Sequence, residues 1–379
     1  MGDCKAHKIN VLTPDVNESV SHFTVNKKGD IRFGLGGIKG FGGNVVDAIL
    51  AERERSGLFT DVYDFMERVG VINRRALECL VYAGGLDSFG CKRSQFFLPC
   101  ANGELFIDEL VHYADLYRRD AMDASASLFG DVEELKPVRP QMPAPPEQED
   151  YLQLLQKEKE LVGMYLSSHP LDRYQFEIEQ FTSCELTGLE AMIEECDRTK
   201  KPRKVSFAGI VTDVKDMTTR QGKPFAKVMI EDFSGPYELA LFAKDYEVYK
   251  AKTQLHASIF VTGEIRERYA LKPEERAQGK TAPYAFRVTD ISMLGNVSDS
   301  MLSSITLNVM SAQVDPAFRK DLVRLLKEFK GTTPLLIYII DPATGYKIEF
   351  KSKKYQVAVT TEFIAELGRL GLSYKLGRK

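Results

Sequence analysis

The sequence lacks the apolar runs and the metal-ligand clusters that define several classes of protein. No stretch approaches the roughly 20 apolar residues that a membrane-spanning helix needs, and residues 1–5 contain no apolar signal core. The six cysteines include no Cys-x-x-Cys pair, and the five histidines are scattered. We therefore expect no membrane segment, no metal site, and the free thiols of a cytoplasmic protein.

The sequence also lacks a recognisable catalytic set. It contains no Ser-His-Asp signature and no Walker loop, and the spacing of its 54 acidic residues singles out no pair for metal binding. The formal net charge of −3 does not indicate a nucleic-acid-binding protein, so any DNA contact must come from local patches. A chain of 379 residues is too long for one hydrophobic core, and we expect roughly two to four domains.

Residues 204–295 show the clearest pattern in the chain, which is the alternation of five β-strands. The strands are predicted at 205–214, 225–231, 237–242, 258–265 and 284–294, and a helix is predicted at 244–253. Three strands, a helix and two further strands follow each other in the order of a small Greek-key barrel of the OB type.

The alternation within the second and third strands predicts which side chains lie outside this barrel. Ala226, Val228 and Ile230 face inward, whereas one outer face carries aromatic and basic side chains beside basic loops. Such a face suits single-stranded nucleic acid, because bases stack on aromatic rings for about 1–3 kcal/mol each and cations follow the phosphates. The candidate residues are Arg220, Lys223, Phe225, Lys227, Phe242, Arg266 and Arg268. The alternative is that Phe242 tucks into the barrel rim and the charges only solvate loops.

A glycine-rich stretch at 33–44 precedes apolar residues with helical spacing. A turn of this kind feeding a helix is typical of a helix-hairpin-helix, in which glycines let the backbone approach a phosphate and the helix N–H groups point at it. Lys39, Gly40 and Gly42 are therefore candidate duplex-DNA contacts, unless the stretch is only a connector. Arg74 and Arg75 open a later predicted helix, where they either hold DNA or are simply solvated.

Residues 123–148 read as a linker rich in proline and acidic residues, after a helix predicted at 104–122. Leu128 and Phe129 are two adjacent large apolar side chains within it. They either pack back on a neighbouring helix or anchor the linker in a pocket of a partner protein. The linker is thus a candidate partner-binding peptide.

The last part of the chain predicts a small α+β domain without evident chemistry. Its strands are predicted at 303–310, 334–340, 346–350, 355–359 and 373–376, and its helices at 316–330 and 361–370. An apolar sheet of this size is a natural docking module. The fold class is therefore multidomain α+β, with a helical helix-hairpin-helix region, an OB-type β-barrel and a small C-terminal α+β domain.

Four motifs, in order, resemble those of the bacterial replicative DNA polymerase III alpha subunit, a C-family polymerase. They lie at 14–19, at 34–40, at 73–78 together with 83–87, and at 158–171. The predicted barrel extends the match to about residue 295, whereas the final domain matches only in position and pattern. The chain thus resembles a carboxy-terminal portion of that subunit.

The resemblance implies a role for each part of the chain. Residues 1–122 are expected to be the end of the fingers with a helix-hairpin-helix region that grips duplex DNA, and 123–149 a linker. A helical connector at 150–202, an OB domain near the single-stranded template at 203–296, and a domain at 297–379 complete the chain. In this family the last domain lies where the tau subunit of the clamp loader binds.

The resemblance also implies a role for the apolar pair in the linker, Leu128 and Phe129. Ser125, Leu128 and Phe129 fall where the family carries its sliding-clamp (beta) motif, a pentapeptide of the type Gln-x-x-Leu/Met-Phe. Ser125 replaces the glutamine, so that the Leu-Phe anchor remains without its polar half. The expected partners are primer-template and single-stranded DNA, the sliding clamp and tau, with no membrane.

The catalytic aspartates of this family lie in a palm domain that precedes the end of the fingers. Since the chain opens in mid-segment, we expect a portion of a nucleotidyltransferase that does not polymerise by itself. No cofactor is expected in this chain, because Mg²⁺ belongs to the absent palm. The cytoplasm is the expected location, with association to the nucleoid during replication. The rival hypothesis is a stand-alone single-stranded-DNA-binding or repair adaptor built from the same modules.

Overall fold

The computed structural model describes residues 4, 7, 9–126, 137–147, 149–270, 274 and 282–379, with the backbone alone at 121–126. The chain divides into two compact units, Met1–Pro170 and Leu171–Lys379. No helix in these described ranges is both long and apolar enough to cross a membrane.

The first unit is mainly helical. Its short strands β1 (Val11–Leu12), β2 (Thr24–Val25) and β3 (Ile31–Arg32) form a sheet in the order β1-β3-β2. The helices that follow are α1 (Gly43–Ser56), α2 (Val62–Arg68), α3 (Arg74–Ala83), α4 (Phe106–Ala126) and α5 (Tyr151–Val162). Their apolar faces bury one continuous core, in which Phe65, Leu77 and Phe106 are fully buried.

Side-chain caps set the start of α2 and α3. The Asp61 carboxylate accepts the Asp64 N–H, and the Asn73 side-chain oxygen accepts the Ala76 N–H. Each cap satisfies one of the donors that a helix start leaves unpaired. Gly84 ends α3 in the left-handed conformation, with φ of 87°, which glycine adopts without the steric cost of a Cβ.

The second unit begins with helices and continues into a five-stranded antiparallel sheet. The helices are α6 (Gln175–Phe181) and α7 (Leu189–Thr199). The strands of the sheet and the helix inserted between them are β4 (Arg203–Thr218), β5 (Pro224–Glu231), β6 (Pro236–Phe242), α8 (Ala243–Tyr249), β7 (Ser258–Glu267) and β8 (Tyr284–Met293). The strand order is β6-β5-β4-β7-β8. The predicted order of three strands, a helix and two strands is confirmed, as is the inward direction of Ala226, Val228 and Ile230, which are at most 1% exposed.

The sheet is open, which corrects the expectation of a closed barrel. No pairing joins β6 to β8 in the described residues. At one edge, Ala243 adopts a left-handed φ of 46° directly after Phe242, so the chain leaves β6 and enters α8. At the other edge, α7 approaches β8, where the Tyr284 N–H donates to the Asp197 carboxylate at 3.1 Å. Helices therefore flank the two edges that a closed barrel would join.

A four-stranded sheet forms the end of the second unit. Its elements are α9 (Val297–Met301), β9 (Leu302–Met310), α10 (Pro316–Glu328), β10 (Lys330–Ile340), β11 (Lys347–Val357), α11 (Thr361–Arg369) and β12 (Ser373–Arg378). The order is β11-β10-β9-β12, with β9 and β10 parallel. Helices α10 and α11 bury Leu325 and Phe363 against this sheet.

One prediction for this sheet is wrong. The separate strands expected at 346–350 and 355–359 are one strand, β11, because its pairing with β10 continues through two register shifts. These irregularities accommodate the residues that the sequence pattern had placed in a break between strands.

Candidate nucleic-acid interface

The outer face of the five-stranded sheet carries a pair of stacked aromatic rings. Phe225 of β5 and Phe242 of β6 lie directly opposite each other in the register. Their ring centroids are 5.1 Å apart and their planes differ by 18°. Phe242 is 47% exposed, so it does not tuck into the barrel rim. The pair presents an aromatic surface to solvent, as stacking of bases requires.

Met217 extends this pair across a third strand and was missed by the sequence reasoning. It lies opposite Phe225 in the pairing of β4 with β5 and is 43% exposed. A register shift between Val211 and Asp213 changes the phase of β4, so that simple alternation from the start of the strand does not locate Met217. We call Met217, Phe225 and Phe242 the outer apolar strip.

Two predicted cations flank the outer apolar strip in the tight turn between β4 and β5. Gly222 takes a φ of 77° in this turn, and the Thr219 N–H donates to the Lys223 carbonyl at 2.8 Å. Arg220 and Lys223 are exposed at its tip, and neither makes an ion pair with another described residue. These two charges are available to a phosphate backbone that passes the strip.

Two of the other three predicted cations of the sheet have a carboxylate beside them. The Lys227 ammonium lies 2.7 Å from the Glu238 carboxylate on the neighbouring strand. The Arg266 guanidinium approaches the Glu264 carboxylate at 4.0 Å. Arg268 is exposed, and its carbonyl accepts a hydrogen bond from the Arg287 guanidinium at 2.6 Å. Lys227 in particular would have to give up a charged partner before it contacted a phosphate.

Arg266 and Arg268 line a cleft of about 690 Å³ at the ends of β7 and β8. Tyr269, which is 55% exposed, borders the same cleft. Three acidic side chains lie there too, so that the cleft has no strong net charge: Asp245, Glu264 and Glu267. The cleft can offer an aromatic ring to a base, but the turn between β4 and β5 offers the less compensated positive charge.

In the first unit, the glycine-rich turn leads into α1 as predicted. Gly40 has a φ of 77°, and Gly42 is the N-cap of α1 and contributes no capping side chain. The first turn of α1 contains no acidic residue, and the Lys39 side chain is exposed while its N–H donates to the Leu161 carbonyl at 2.9 Å. Gly42, Gly43 and Asn44 are exposed at this helix start, so an anion can approach the first backbone N–H groups of α1.

The two arginines at the start of α3 have different surroundings. The Arg74 guanidinium donates to the Asp108 carboxylate at 2.7 Å and also to Glu78. The hydrogen bond with Asp108 is the largest factor that raises the pKa of Arg74 above its ordinary value. Arg74 is thus held by protein carboxylates.

Arg75 instead makes no ion pair with a described residue. It is exposed and sits one helical turn before Cys79, whose sulfur would lie 3.7 Å from a Cβ added at Gly40. Burial raises the pKa of the Cys79 thiol, and the nearby Arg75 charge partly opposes that effect. The fold therefore brings Cys79, one helical turn after Arg75, next to Gly40, a proximity that a separation of 39 positions in the sequence does not reveal.

The predicted clamp motif lies mostly beyond the described part of the chain. Leu128 and Phe129 are outside the described residues. Ser125 falls within α4, which continues to Ala126, four residues past the predicted end of that helix. Among the described residues, no group of three or more His, Cys, Asp or Glu side chains is placed to hold a metal ion.

Three family models match successive parts of the chain. The model described as "Helix-hairpin-helix motif" matches residues 8–96 and covers the glycine-rich turn and Arg75. The "OB-fold nucleic acid binding domain" matches 205–294, which is the five-stranded sheet. The "DNA polymerase III alpha subunit, C-terminal domain" matches 305–377.

Known proteins that match nearly the full length of this chain agree with these family models. DNA polymerase III subunit alpha of Vibrio cholerae is 27% identical over 375 residues, which cover 97% of this chain and 30% of the relative. The subunit of Thermus aquaticus is 31% identical over 342 residues, which cover 90% of this chain and 25% of the relative. This chain is a relative of the DNA polymerase III alpha subunits.

The resemblance read from the four sequence motifs is thereby confirmed. The chain spans less than a third of the length of these alpha subunits, and it corresponds to a region with a helix-hairpin-helix domain, an OB domain and the family's C-terminal domain. Among solved structures, a mitochondrial single-stranded DNA binding protein of S. cerevisiae matches 25% of this chain with 15% identity and a TM-score of 0.18, a likeness too weak to support an argument.

Proposed function

We propose that this chain is the DNA-binding and partner-docking portion of a replicative DNA polymerase III alpha subunit, acting in the bacterial cytoplasm at the nucleoid. The outer apolar strip, with Arg220 and Lys223 exposed beside it, is the observation that carries the proposal. In this role the chain holds DNA and gathers partner proteins for template-directed synthesis.

Single-stranded template is the proposed ligand of the five-stranded sheet. Bases stack on Phe242 and Phe225, for about 1–3 kcal/mol per base, while Arg220 and Lys223 contact the phosphates. Lys227 and Arg266 contribute less than these two cations, because the carboxylates of Glu238 and Glu264 lie beside them. Arg268 is a further phosphate contact at the ends of β7 and β8.

Duplex DNA is the proposed ligand of the first unit. Gly40 and Gly42 let the backbone approach a phosphate, the first N–H groups of α1 point at it, and Lys39 and Arg75 add positive charge. Arg74 has a structural role in this proposal, since it links α3 to α4 through Asp108.

The sliding clamp is the proposed partner of the linker, through Leu128 and Phe129, with Ser125 in place of the family's glutamine. The support is the resemblance to the alpha subunits and the position of the apolar pair in the sequence. A variant carrying Leu128→Ala and Phe129→Ala should lose clamp binding in a pull-down and retain its affinity for DNA. Equal retention of the clamp by this variant would place the contact elsewhere.

The C-terminal domain is proposed to dock the tau subunit of the clamp loader. Its hairpin β10–β11 carries several apolar side chains that are exposed. Ile348 and Phe350 lie opposite Ile339 and Ile337, on the face that α10 and α11 bury elsewhere in the sheet. Ile348 and Phe350 are nevertheless exposed, as is Tyr346 in the turn. Exposed apolar side chains grouped in this way favour a protein partner.

We further propose that the chain does not incorporate nucleotides by itself. It matches less than a third of the alpha subunits, and the resemblance assigns the catalytic aspartates and Mg²⁺ to a palm domain outside this segment. Primer extension with the isolated chain should show no incorporation, and robust synthesis would refute the proposal.

The deciding experiment is a titration of labelled single-stranded and primer-template DNA at several salt concentrations, followed by pull-downs with clamp and tau. Binding with a steep salt dependence, weakened for single strands when Phe242 is replaced, supports the proposed function. A chain that binds DNA but neither clamp nor tau would favour the adaptor hypothesis. A chain that binds no DNA at all would overturn the proposal.

A further inference from the structure

Helix α10 of the C-terminal domain presents a basic face to solvent. Arg319, Lys320, Arg324 and Lys327 are all exposed on this 13-residue helix. They border a shallow cleft of about 920 Å³. A charged outer side is ordinary for an amphipathic helix that packs on a sheet, so the meaning of this face depends on how its charges are compensated.

The cations of this face are poorly compensated by neighbouring carboxylates. Asp321 lies 3.4 Å from Arg324, which is the one ion pair on the face among described residues. The Asp315 carboxylate serves as the N-cap of α10 and accepts the Phe318 N–H at 2.7 Å. Arg319, Lys320 and Lys327 have no ion pair with any described residue. In a chain whose net charge is −3, this is a local concentration of positive charge.

The spacing of the cations arranges them as a strip. Successive residues of an α-helix are rotated by about 100° and rise by about 1.5 Å. Positions 319, 320, 324 and 327 therefore fall within an arc of about 140° and extend over about 12 Å of the helix axis. A nucleic-acid strand, whose phosphates repeat roughly every 3.4 Å along a duplex axis, offers several negative charges over that length.

The composition of the face favours a polyanion over a protein partner. The apolar residues that border the cleft are Val314, Pro316 and Val323. None of them is an aromatic anchor of the kind that dominates protein interfaces. The hairpin β10–β11 has such anchors in Tyr346 and Phe350. The two surfaces of the domain thus differ in chemistry, and the α10 face is suited to charge.

We infer that the exposed face of α10 is a further DNA-binding surface, which contacts the phosphate backbone without reading the sequence. Arg319, Lys320 and Lys327 supply the contacts, and Arg324 joins them with part of its charge shared with Asp321. This surface is separate in the fold from the outer apolar strip, since α10 packs on the four-stranded sheet. The inference requires no base stacking and does not rest on the function proposed for that strip.

The test compares two triple variants of the full chain that remove the same charge. The first carries Arg319→Ala, Lys320→Ala and Lys327→Ala, and the control carries Lys347→Ala, Lys351→Ala and Lys353→Ala on the exposed strand β11. Affinity for single-stranded and for duplex oligonucleotides is measured at several salt concentrations. We expect the slope of log K against log salt to fall by about 2 to 3 for the first variant, and to stay near the wild-type value for the control.

A second measurement uses the unmodified protein and so does not depend on how a variant folds. DNA should protect Lys320 and Lys327 from acetylation while Lys347 and Lys353 remain reactive. Equal slopes for the two triple variants, or equal acetylation with and without DNA, would overturn the inference. Unchanged DNA binding by the first variant together with lost binding of polyglutamate would overturn it as well, in favour of an acidic protein partner.

Discussion

Phe225 and Phe242 stack across strands β5 and β6 with their ring centroids 5.1 Å apart. The pair lies on the outer side of a sheet whose inner side is fully buried. Phe242 and Met217 remain 47% and 43% exposed, so this outer surface contributes less to the hydrophobic core than the inner side chains do. The stacked pair therefore offers a surface on which a base can stack.

The first prediction concerns Phe242. Replacement with alanine should weaken binding of single-stranded DNA by about 1–3 kcal/mol, since one stacking platform is lost. Duplex binding and thermal stability should change little, because the side chain is nearly half exposed. Fluorescence anisotropy with a labelled oligonucleotide measures the first effect and calorimetry the second. Tyr346→Ala, which removes an exposed ring from the distant hairpin turn, is the matched control. Equal losses in both variants would refute a stacking role.

The second prediction separates Arg74 from Arg75. Arg75→Ala should weaken duplex binding and lower the salt slope by about 1, because one phosphate contact is removed. Arg74→Ala should leave the salt slope unchanged and reduce stability by about 1 kcal/mol or less, since its ion pairs with Glu78 and Asp108 are largely exposed. Titrations at several salt concentrations and urea unfolding distinguish the two outcomes. The reverse pattern would show that Arg74 leaves its carboxylates to hold DNA.

The third prediction concerns Gly40. Because Gly40 has a φ of 77°, Gly40→Ala should lower the free energy of unfolding by about 1–2 kcal/mol. The cost comes from the backbone conformation, since the nearest atom to an added Cβ, the Cys79 sulfur, is 3.7 Å away. The strain should distort the turn and reduce duplex affinity as well as stability. Gly43→Ala is the control, because it lies in the first turn of α1 and an added Cβ there meets nothing within 4 Å. Unchanged duplex affinity in Gly40→Ala would exclude this turn from the interface.

The sequence was sufficient to predict features that depend on local periodicity. Alternation in β5 and β6 placed Phe225 and Phe242 outside and Val228 inside, because a strand has only two faces. The helix predicted to open at Arg74 and Arg75 is α3, which the Asn73 side chain caps from within the same turn. Such features require only neighbouring residues, and the structure agrees with them.

Features that depend on distant partners were not predictable in the same way. Arg74 meets Asp108, which is 34 positions away, and no local pattern shows that this arginine is already engaged. Lys227 is likewise held by Glu238 from the adjacent strand. Met217 was missed because a register shift in β4 breaks the alternation. The end of β6 is marked by the left-handed Ala243, a conformation that alanine seldom adopts and that the sequence pattern does not reveal.

The last prediction concerns a buried acid in the second unit. Glu177 of α6 is 3% exposed; one of its carboxylate oxygens accepts the Ser298 hydroxyl at 3.0 Å, and the other has no hydrogen-bond partner. Burial raises the pKa of the Glu177 carboxyl above its ordinary value of 4.5, with the charge of Glu362 acting in the same direction and that of Arg173 against it. The folded protein therefore binds more protons than the unfolded chain between the two pKa values.

The sign of the pH dependence follows from this difference. The contribution of Glu177 to the free energy of unfolding is most favourable below the ordinary pKa, falls as the pH rises through the folded-state pKa, and is level above it. Glu177→Gln, which carries no charge, should therefore equal the wild type near pH 4 and be more stable at pH 8. Urea unfolding at a series of pH values measures this, with Glu328→Gln, an exposed glutamate that does not act on Glu177, as the control. A Glu177→Gln curve parallel to that of the wild type would show that the buried carboxyl keeps its ordinary pKa in the folded protein.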